Sequence, residues 1–384
     1  PQVLMENGYY VGYTGKGWGP GTYDTKDNPA GPEYNKLTVK DRPAKGIFNT
    51  DYSGNFRAFL DDNKEGKPFC FWLGRKEPHR FYEKDSWKSI DSVYVQPFYP
   101  DNEIVRGDIM DYAVEVEWFD KHVGEAVQIL KEKGMLENTM IVVTSDHGMP
   151  FPRIKGQIYE EGFHVPFIVY WKGKVMGGRS VDDFIGFHDI APTLLEAAQI
   201  DGNFGMTGKS FINLLTSKKS GRIDKKRDHM ILIKERHDVG RANEDGVNLG
   251  YPVRAIRTDE YLYVVNYKPE RWPVGNPEYD YRNCDNSPTK SYLTGLKPGD
   301  KDYRYNEMAF AKRPGEEFYL IKEDPHCMKN QALNPEYRKV MDKLRKRMEN
   351  ELKRTGDPRM YGKGDIFDKY PYMGKALDYS KKIK

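Results

Sequence analysis

The chain has 384 residues, a formal net charge of +3, 38% hydrophobic and 31% charged residues. That length buries a sizeable core and favours one large domain plus a smaller one, and 27 Tyr with 6 Trp exclude a disordered composition. Lys and Arg (61) are nearly balanced by Asp and Glu (58), so no nucleic-acid partner is indicated, and no apolar run is long enough to span a membrane. Cys70, Cys284 and Cys327 allow one disulfide at most, and their spacing matches no zinc site.

The opening Pro1-Gln2-Val3-Leu4-Met5 is neither an initiator Met nor a signal peptide, so the chain is expected to begin inside a domain. Val3 to Tyr10 reads as a helix end entering a strand at Tyr9 to Tyr13. Residues 1–60 are loop-rich, with Gly-Lys-Gly-Trp-Gly-Pro-Gly at 15–21. Gly15 and Gly17 would let a ligand come close to Lys16, although that segment alone also suits a solvated Lys in a flexible turn. Phe56 to Leu60 reads as a helix end and Pro68 to Leu73 as a strand. A polar loop, Gly74 to Arg80, follows. Its His79 could donate a proton to a leaving group near neutral pH, or be structural.

Asp111 to Gly134 reads as a helix with Val114, Trp118, Val123, Val127 and Leu130 near one face. Gly134 suits its C-cap. Thr139 to Thr144 is a β-branched run ending in Ser145-Asp146-His147-Gly148. Ligands of open α/β sheets lie at such carboxyl ends. Asp146 offers an anionic oxygen and His147 an imidazole nitrogen, a pairing suited to a divalent cation. A capped turn with a surface His is the plainer alternative. Lys155 and Tyr159-Glu160-Glu161-Gly162 come next, and Lys155 could neutralise a substrate oxyanion. Val165 to Trp171 reads as a strand and Ile190 to Ile200 as a helix with Pro192 in its first turn. This alternation predicts a parallel-type sheet with helices on both faces.

Lys218 to Asp228 is a charged connector, which places a domain boundary between 1–225 and 226–384. Met230 to Lys234, Arg254 to Tyr267 (turning at Thr258-Asp259-Glu260) and Glu317 to Ile321 read as strands. Pro335 to Lys353 reads as a helix carrying Val340, Leu344, Met348 and Leu352. Together they predict a small α+β subdomain. Arg236 and His237 could bind an anionic sugar, an ordinary exposed His being the alternative. Lys268 to Pro273 could stack on a sugar or pack the subdomain, and 355–384 reads as an irregular tail.

Several blocks occur in order: Gly15-Lys16-Gly17-Trp18-Gly19-Pro20, Glu77-Pro78-His79-Arg80, Ser145-Asp146-His147-Gly148, Lys155 to Gly162 with Val165-Pro166, and His188-Asp189-Ile190-Ala191-Pro192-Thr193. Arg254-Ala255-Ile256-Arg257-Thr258 with Tyr261, and Phe318-Tyr319-Leu320 with Asp324-Pro325, follow further on. In this set the chain resembles the type I sulfatase family of the alkaline phosphatase superfamily, nearest its heparan N-sulfatase-like branch.

The resemblance implies an α/β fold: an alkaline-phosphatase-like sandwich with a large mostly parallel sheet between helices, plus a smaller C-terminal α+β subdomain with an antiparallel sheet. It implies hydrolysis of sulfate esters or N-sulfates on a sulfated polysaccharide or its oligosaccharides, with export to the periplasm or secretion. Asp146 and His147 would ligate Ca²⁺, and Lys16 and Lys155 would bind sulfate oxygens. His79 would contact the sulfate or protonate the leaving group. Arg80, Arg236 and His237 are further substrate-binding candidates, read from the residues themselves. Trp18 stands where the family commonly has His. The Cys/Ser-x-Pro/Ala-x-Arg motif that yields the formylglycine nucleophile does not occur, so an N-terminal remainder of the same protein is an expected partner. A phosphodiesterase or phosphonate hydrolase of the same superfamily, or an incomplete piece that only binds acidic glycans, are the alternatives.

Overall fold

The structure is a computed structural model that describes residues 1–19, 28–85, 89, 92–243, 246–374 and 377–379. A short helix α1 (Gln2–Glu6) leads into β1 (Tyr10–Gly15). Helix α2 (Tyr52–Asp62) and β2 (Phe69–Gly74) follow. β1 and β2 pair in parallel from Tyr10↔Phe69 to Gly15↔Gly74. Phe56 and Phe59 of α2 fill the space beneath, against Phe69 and Phe71.

The long α3 (Glu103–Glu132) starts eight residues before the position predicted from periodicity, where the Asn102 side chain accepts a hydrogen bond from Val105 N. Its buried face explains the difference. Val105, Ile109, Trp118, Ile129 and Leu130 are interrupted by buried Asp108, Glu115 and His122, so the apolar stripe is broken in the sequence.

β3 (Ile141–Thr144) comes next, then α4 (Glu160–Phe163) and β4 (Phe167–Tyr170). β3 and β4 pair antiparallel, Ile141 opposite Tyr170 and Thr144 opposite Phe167. Helices α5 (Ile190–Ala197) and α6 (Ile212–Thr216) complete this part. The class is α/β as predicted. Among the described residues, though, these four strands form two separate ladders instead of one large, mostly parallel sheet. Strands inside such a sheet are buried on both faces. Here Trp72 on β2 stays 61% exposed and Ile168 on β4 60%.

The remaining elements are β5 (His229–Lys234), β6 (Val253–Thr258), β7 (Tyr261–Asn266), α7 (Pro288–Gly295), α8 (Tyr303–Phe310), β8 (Glu316–Leu320) and α9 (Arg338–Arg354). β5 to β8 form the predicted antiparallel sheet in sequence order. Side chains alternate between its faces. Ile256, Tyr263, Val265 and Phe318 meet Met341, Leu344, Met348 and Leu352 of α9. Ala255, Leu262, Val264 and Tyr319 point the other way and bury Tyr159. On α9 the 3.6-residue period puts Met341 fully inside and leaves the predicted Val340 partly covered.

One core crosses the predicted boundary at 225. Val105, Ile109, Phe151 and Ile154 share a cluster with Val274, Leu293, Ala309 and Phe310.

Glu115 is 1% exposed, and neither carboxyl oxygen has a hydrogen-bond partner among the described residues. Burial, then the charge of Glu77, pushes its carboxyl up to about 8. Between pH 4.5 and about 8 the unfolded chain releases a proton that the folded chain keeps. Stability therefore falls as pH rises through that window, by up to about 1.4 kcal/mol per pH unit. Glu115→Gln should flatten that slope in urea titrations run at several pH values and be more stable than wild type at pH 8. Parallel pH profiles would contradict the assignment.

Candidate functional site

Asp146 and His147 leave the carboxyl end of β3. The His147 Nδ1 lies 2.7 Å from Gly148 O, a contact that assigns it the proton. Nε2 then keeps its lone pair, and it faces Asp146 Oδ2 at 3.7 Å. The Asp146 side chain is 79% exposed. Both donors are thus open and adjacent.

The segment after them is stapled at many points. Gly148 N donates to Gly162 O (3.1 Å). Arg153, with φ 68°, donates to Met308 O (3.0 Å) and Cys327 O (2.5 Å). Tyr159 OH donates to Glu317 (2.9 Å), Arg257 grips Glu160 through Nε (2.5 Å) and Nη2 (3.2 Å), and Glu161 pairs with His326. Gly156 has φ 69°, and a Cβ there would lie 2.8 Å from the His237 ring. Only glycine allows that approach. Lys155 is presented between these anchors, and its ammonium donates to Asp285 Oδ2 at 2.7 Å.

The electrostatics show which groups gather around it. Burial would raise the Asp285 carboxyl. The Lys155 hydrogen bond and the charges of Lys155, His79 and Arg80 outweigh burial and hold it below the usual carboxylate range. The His237 imidazole is pushed down to about 4 by burial, then by Lys234 and Lys155, with His147 acting the same way. The residue is exposed, so solvent weakens the shift, and its downward direction leaves His237 neutral at pH 7. Lys155 thus lies within electrostatic reach of both Asp285 and His237, with His79 near Asp285 and His147 and Asp238 near His237.

His79 is displayed by a turn that Glu77 fixes. Glu77 accepts from Phe48 N (2.8 Å), Tyr52 OH (2.9 Å) and Arg75 (3.3 Å), and His79 N donates to Lys76 O (2.9 Å). Lys16 starts the loop beyond β1, its backbone N bonded to Gly74 O. Its side chain is exposed and has no partner among the described residues. Gly15, with φ 75°, lies so close to Gly74 O that a Cβ would collide.

Two predicted ligands are engaged by other partners. The Arg80 guanidinium makes a bidentate pair with Asp108 (2.7 and 3.0 Å) and lies over Phe151; its side chain is 7% exposed. Arg236 donates to Tyr370 O (2.9 Å) and Pro371 O (3.3 Å) of the tail. Lys268 pairs with Asp365, and Lys312 lies over Trp272, so that candidate sugar-stacking stretch is packed against its own subdomain. Asp285 went unread in the sequence because its partner is 130 residues away. No local pattern marks it.

Among the described residues no cluster of three or more His, Cys, Asp or Glu side chains could hold a metal. Asp146 and His147 fit as two ligands of a hard cation, which takes six to eight. Among the described residues no helix is long and apolar enough to cross a membrane.

Residues 1–200 match the Sulfatase family model, and residues 151–291 match that of the N-sulphoglucosamine sulphohydrolase C-terminal region. An ulvan-active sulfatase of Formosa agariphila is 30% identical over 292 residues, 75% of this chain and 45% of that protein. The N-sulphoglucosamine sulphohydrolase of Homo sapiens is 23% identical over 335 residues, 79% of this chain and 64% of that protein. The chain spans about half the length of the curated relatives it matches. A protein solved with its substrate D-glucosamine-2-N,6-O-disulfate superposes with a TM-score of 0.60 at 16% identity, covering 93% of this chain and 82% of that one. That likeness establishes the shared fold.

If Arg80 holds Asp108 rather than a ligand, Arg80→Met strands a buried carboxylate. Urea unfolding should then show a loss of about 3–5 kcal/mol. A variant with wild-type stability would return Arg80 to the ligand-facing set.

Proposed function

The chain belongs to the sulfatase family, and from that premise we propose that the intact protein hydrolyses sulfate esters or N-sulfates on a sulfated polysaccharide or its oligosaccharides. The observation that carries this reading is Lys155, held between Asp285 and the His237 ring, with His79 near Asp285 and His147 near His237, beside the open Asp146 carboxylate. Several cationic or donor groups meeting in one place suit an anionic sulfo group.

In this reading Asp146 and His147 are two of the ligands of a Ca²⁺ ion. Bound there, the ion would withdraw charge from a sulfo oxygen. Lys155 exchanges Asp285 for a sulfo oxygen, and Lys16 approaches from the β1 side. His79 gives its proton to the leaving oxygen or nitrogen. Neutral His237 offers a hydrogen bond to the sugar without adding charge. Arg80 and Arg236 act as supports in this scheme. The formylglycine nucleophile belongs to a motif outside these residues. This reading assigns the catalytic part to 1–225 and its C-terminal partner to 226–384, with Asp285 reaching across to Lys155. Sulfated glycans lie outside the cytoplasm, which favours a periplasmic or secreted enzyme.

The intact protein should release inorganic sulfate from ulvan or heparan oligosaccharides, and Lys155→Ala or Asp146→Ala should each cut the rate at least about 100-fold. Rates untouched by both changes would dismiss the role assignment. Faster turnover of aryl phosphate than of aryl sulfate esters would move the reading to phosphoester hydrolysis.

A further inference from the structure

Behind the site, between Gln157–Tyr159 and the sheet face of β5, β6 and β7, lies a cavity of ≈ 10 Å³. Gln157, Tyr159, Lys234, Tyr251, Arg313 and Glu317 line it. We propose that this cavity binds one small monatomic anion of the halide class.

The first ground is a shortage of acceptors. Among the described residues, Gln157 Nε2, Tyr251 Oη and Arg313 Nε have no hydrogen-bond partner. Lys234 reaches only two neutral oxygens, Gln157 Oε1 at 3.4 Å and Pro273 O at 3.2 Å. Glu317 also lines the cavity, its Oε2 already accepting from Tyr159 OH and Tyr319 OH and its Oε1 from Asn266. One water accepts about two hydrogen bonds, whereas an anion accepts from all of these donors.

The second ground is an excess of positive charge: Lys234 and Arg313 line the cavity against the single carboxylate of Glu317 among the described lining residues. Lys234, Arg241 and Arg153 are buried and Arg313 is half-buried. Arg241 donates to Trp272 O, Leu249 O and Asn283 Oδ1, Arg153 to Met308 O and Cys327 O, and Arg313 to Met308 O and Ala309 O. Every one of these acceptors is neutral. A buried cation without a counterion is unfavourable by several kcal/mol or more. Burial together with the charges of Arg241 and Arg313 holds the Lys234 ammonium well below its ordinary value. An anion in the cavity restores its charge.

The position gives the ion a consequence. Lys234 lies three residues before His237 and acts on it electrostatically. An occupied cavity therefore screens the site from a cation behind it.

The proposal is independent of the substrate, and so is its test, which reads stability. Thermal unfolding of the full chain is followed in sodium chloride, bromide and gluconate at matched ionic strength, and crystals are soaked in bromide. Chloride and bromide should raise Tm saturably by about 2 °C or more over gluconate. Anomalous scattering should place bromide between Lys234 and Tyr251. Lys234→Met should abolish the halide response, and Tyr251→Phe should weaken halide affinity about tenfold. If Lys234→Met does not fold, the Tyr251→Phe titration and the bromide map still decide. Equal Tm in all three salts, or a cavity holding water with no anomalous peak, would overturn the proposal.

Discussion

The pair between Glu160 and Arg257 is the constraint on which the rest of the site depends. Both side chains are buried, and the guanidinium engages both carboxylate oxygens. Such a pair contributes little net stability against an apolar replacement, yet removing one partner costs about 3–5 kcal/mol. Its value is geometric. It fixes α4 against β6, and Tyr159–Glu317 and Glu161–His326 add two more fixed points. With Arg153 anchored on the far side, Lys155 has little freedom in where it emerges. The C-terminal sheet is therefore part of the site's scaffold, and Asp285 and His237 of the C-terminal part reach the neighbourhood itself.

The contrast between Arg80 and Lys155 follows from side-chain chemistry. A guanidinium in a bidentate, desolvated pair is locked by planar geometry and two parallel bonds. Lys155 is a point charge with one recorded carboxylate contact, and that carboxylate is partly open to solvent. It can trade one oxygen for another without leaving a buried charge alone. The same logic separates Arg236, turned to tail carbonyls, from the uncommitted Lys16.

Much of this was legible in the sequence. The strands β5 to β8 and helix α9 announced themselves because one face of each is apolar at the proper period. Asp146, His147 and Lys155 stood out because a strand end, a donor pair and a cation occurred in one short stretch. The first turns of α3 were hidden, because Asp108, Glu115 and His122 occupy its buried face and look solvent-facing in one dimension. Arg80 and Arg236 read as ligand-facing for the same reason: a cation's partner is invisible until the chain folds. Asp285, Glu77 and Lys234 act only through contacts made in three dimensions. Strand direction was also hidden, since β3 and β4 carry the same β-branched pattern whether paired parallel or antiparallel.

The most direct measurement is a structure of the intact protein with a sulfated oligosaccharide bound. The sulfo group should sit about 3 Å from Lys155 Nζ and Lys16 Nζ, with Asp285 released from Lys155 and His79 facing the leaving oxygen. A sulfo group bound elsewhere, with Lys155 still on Asp285, would contradict the account.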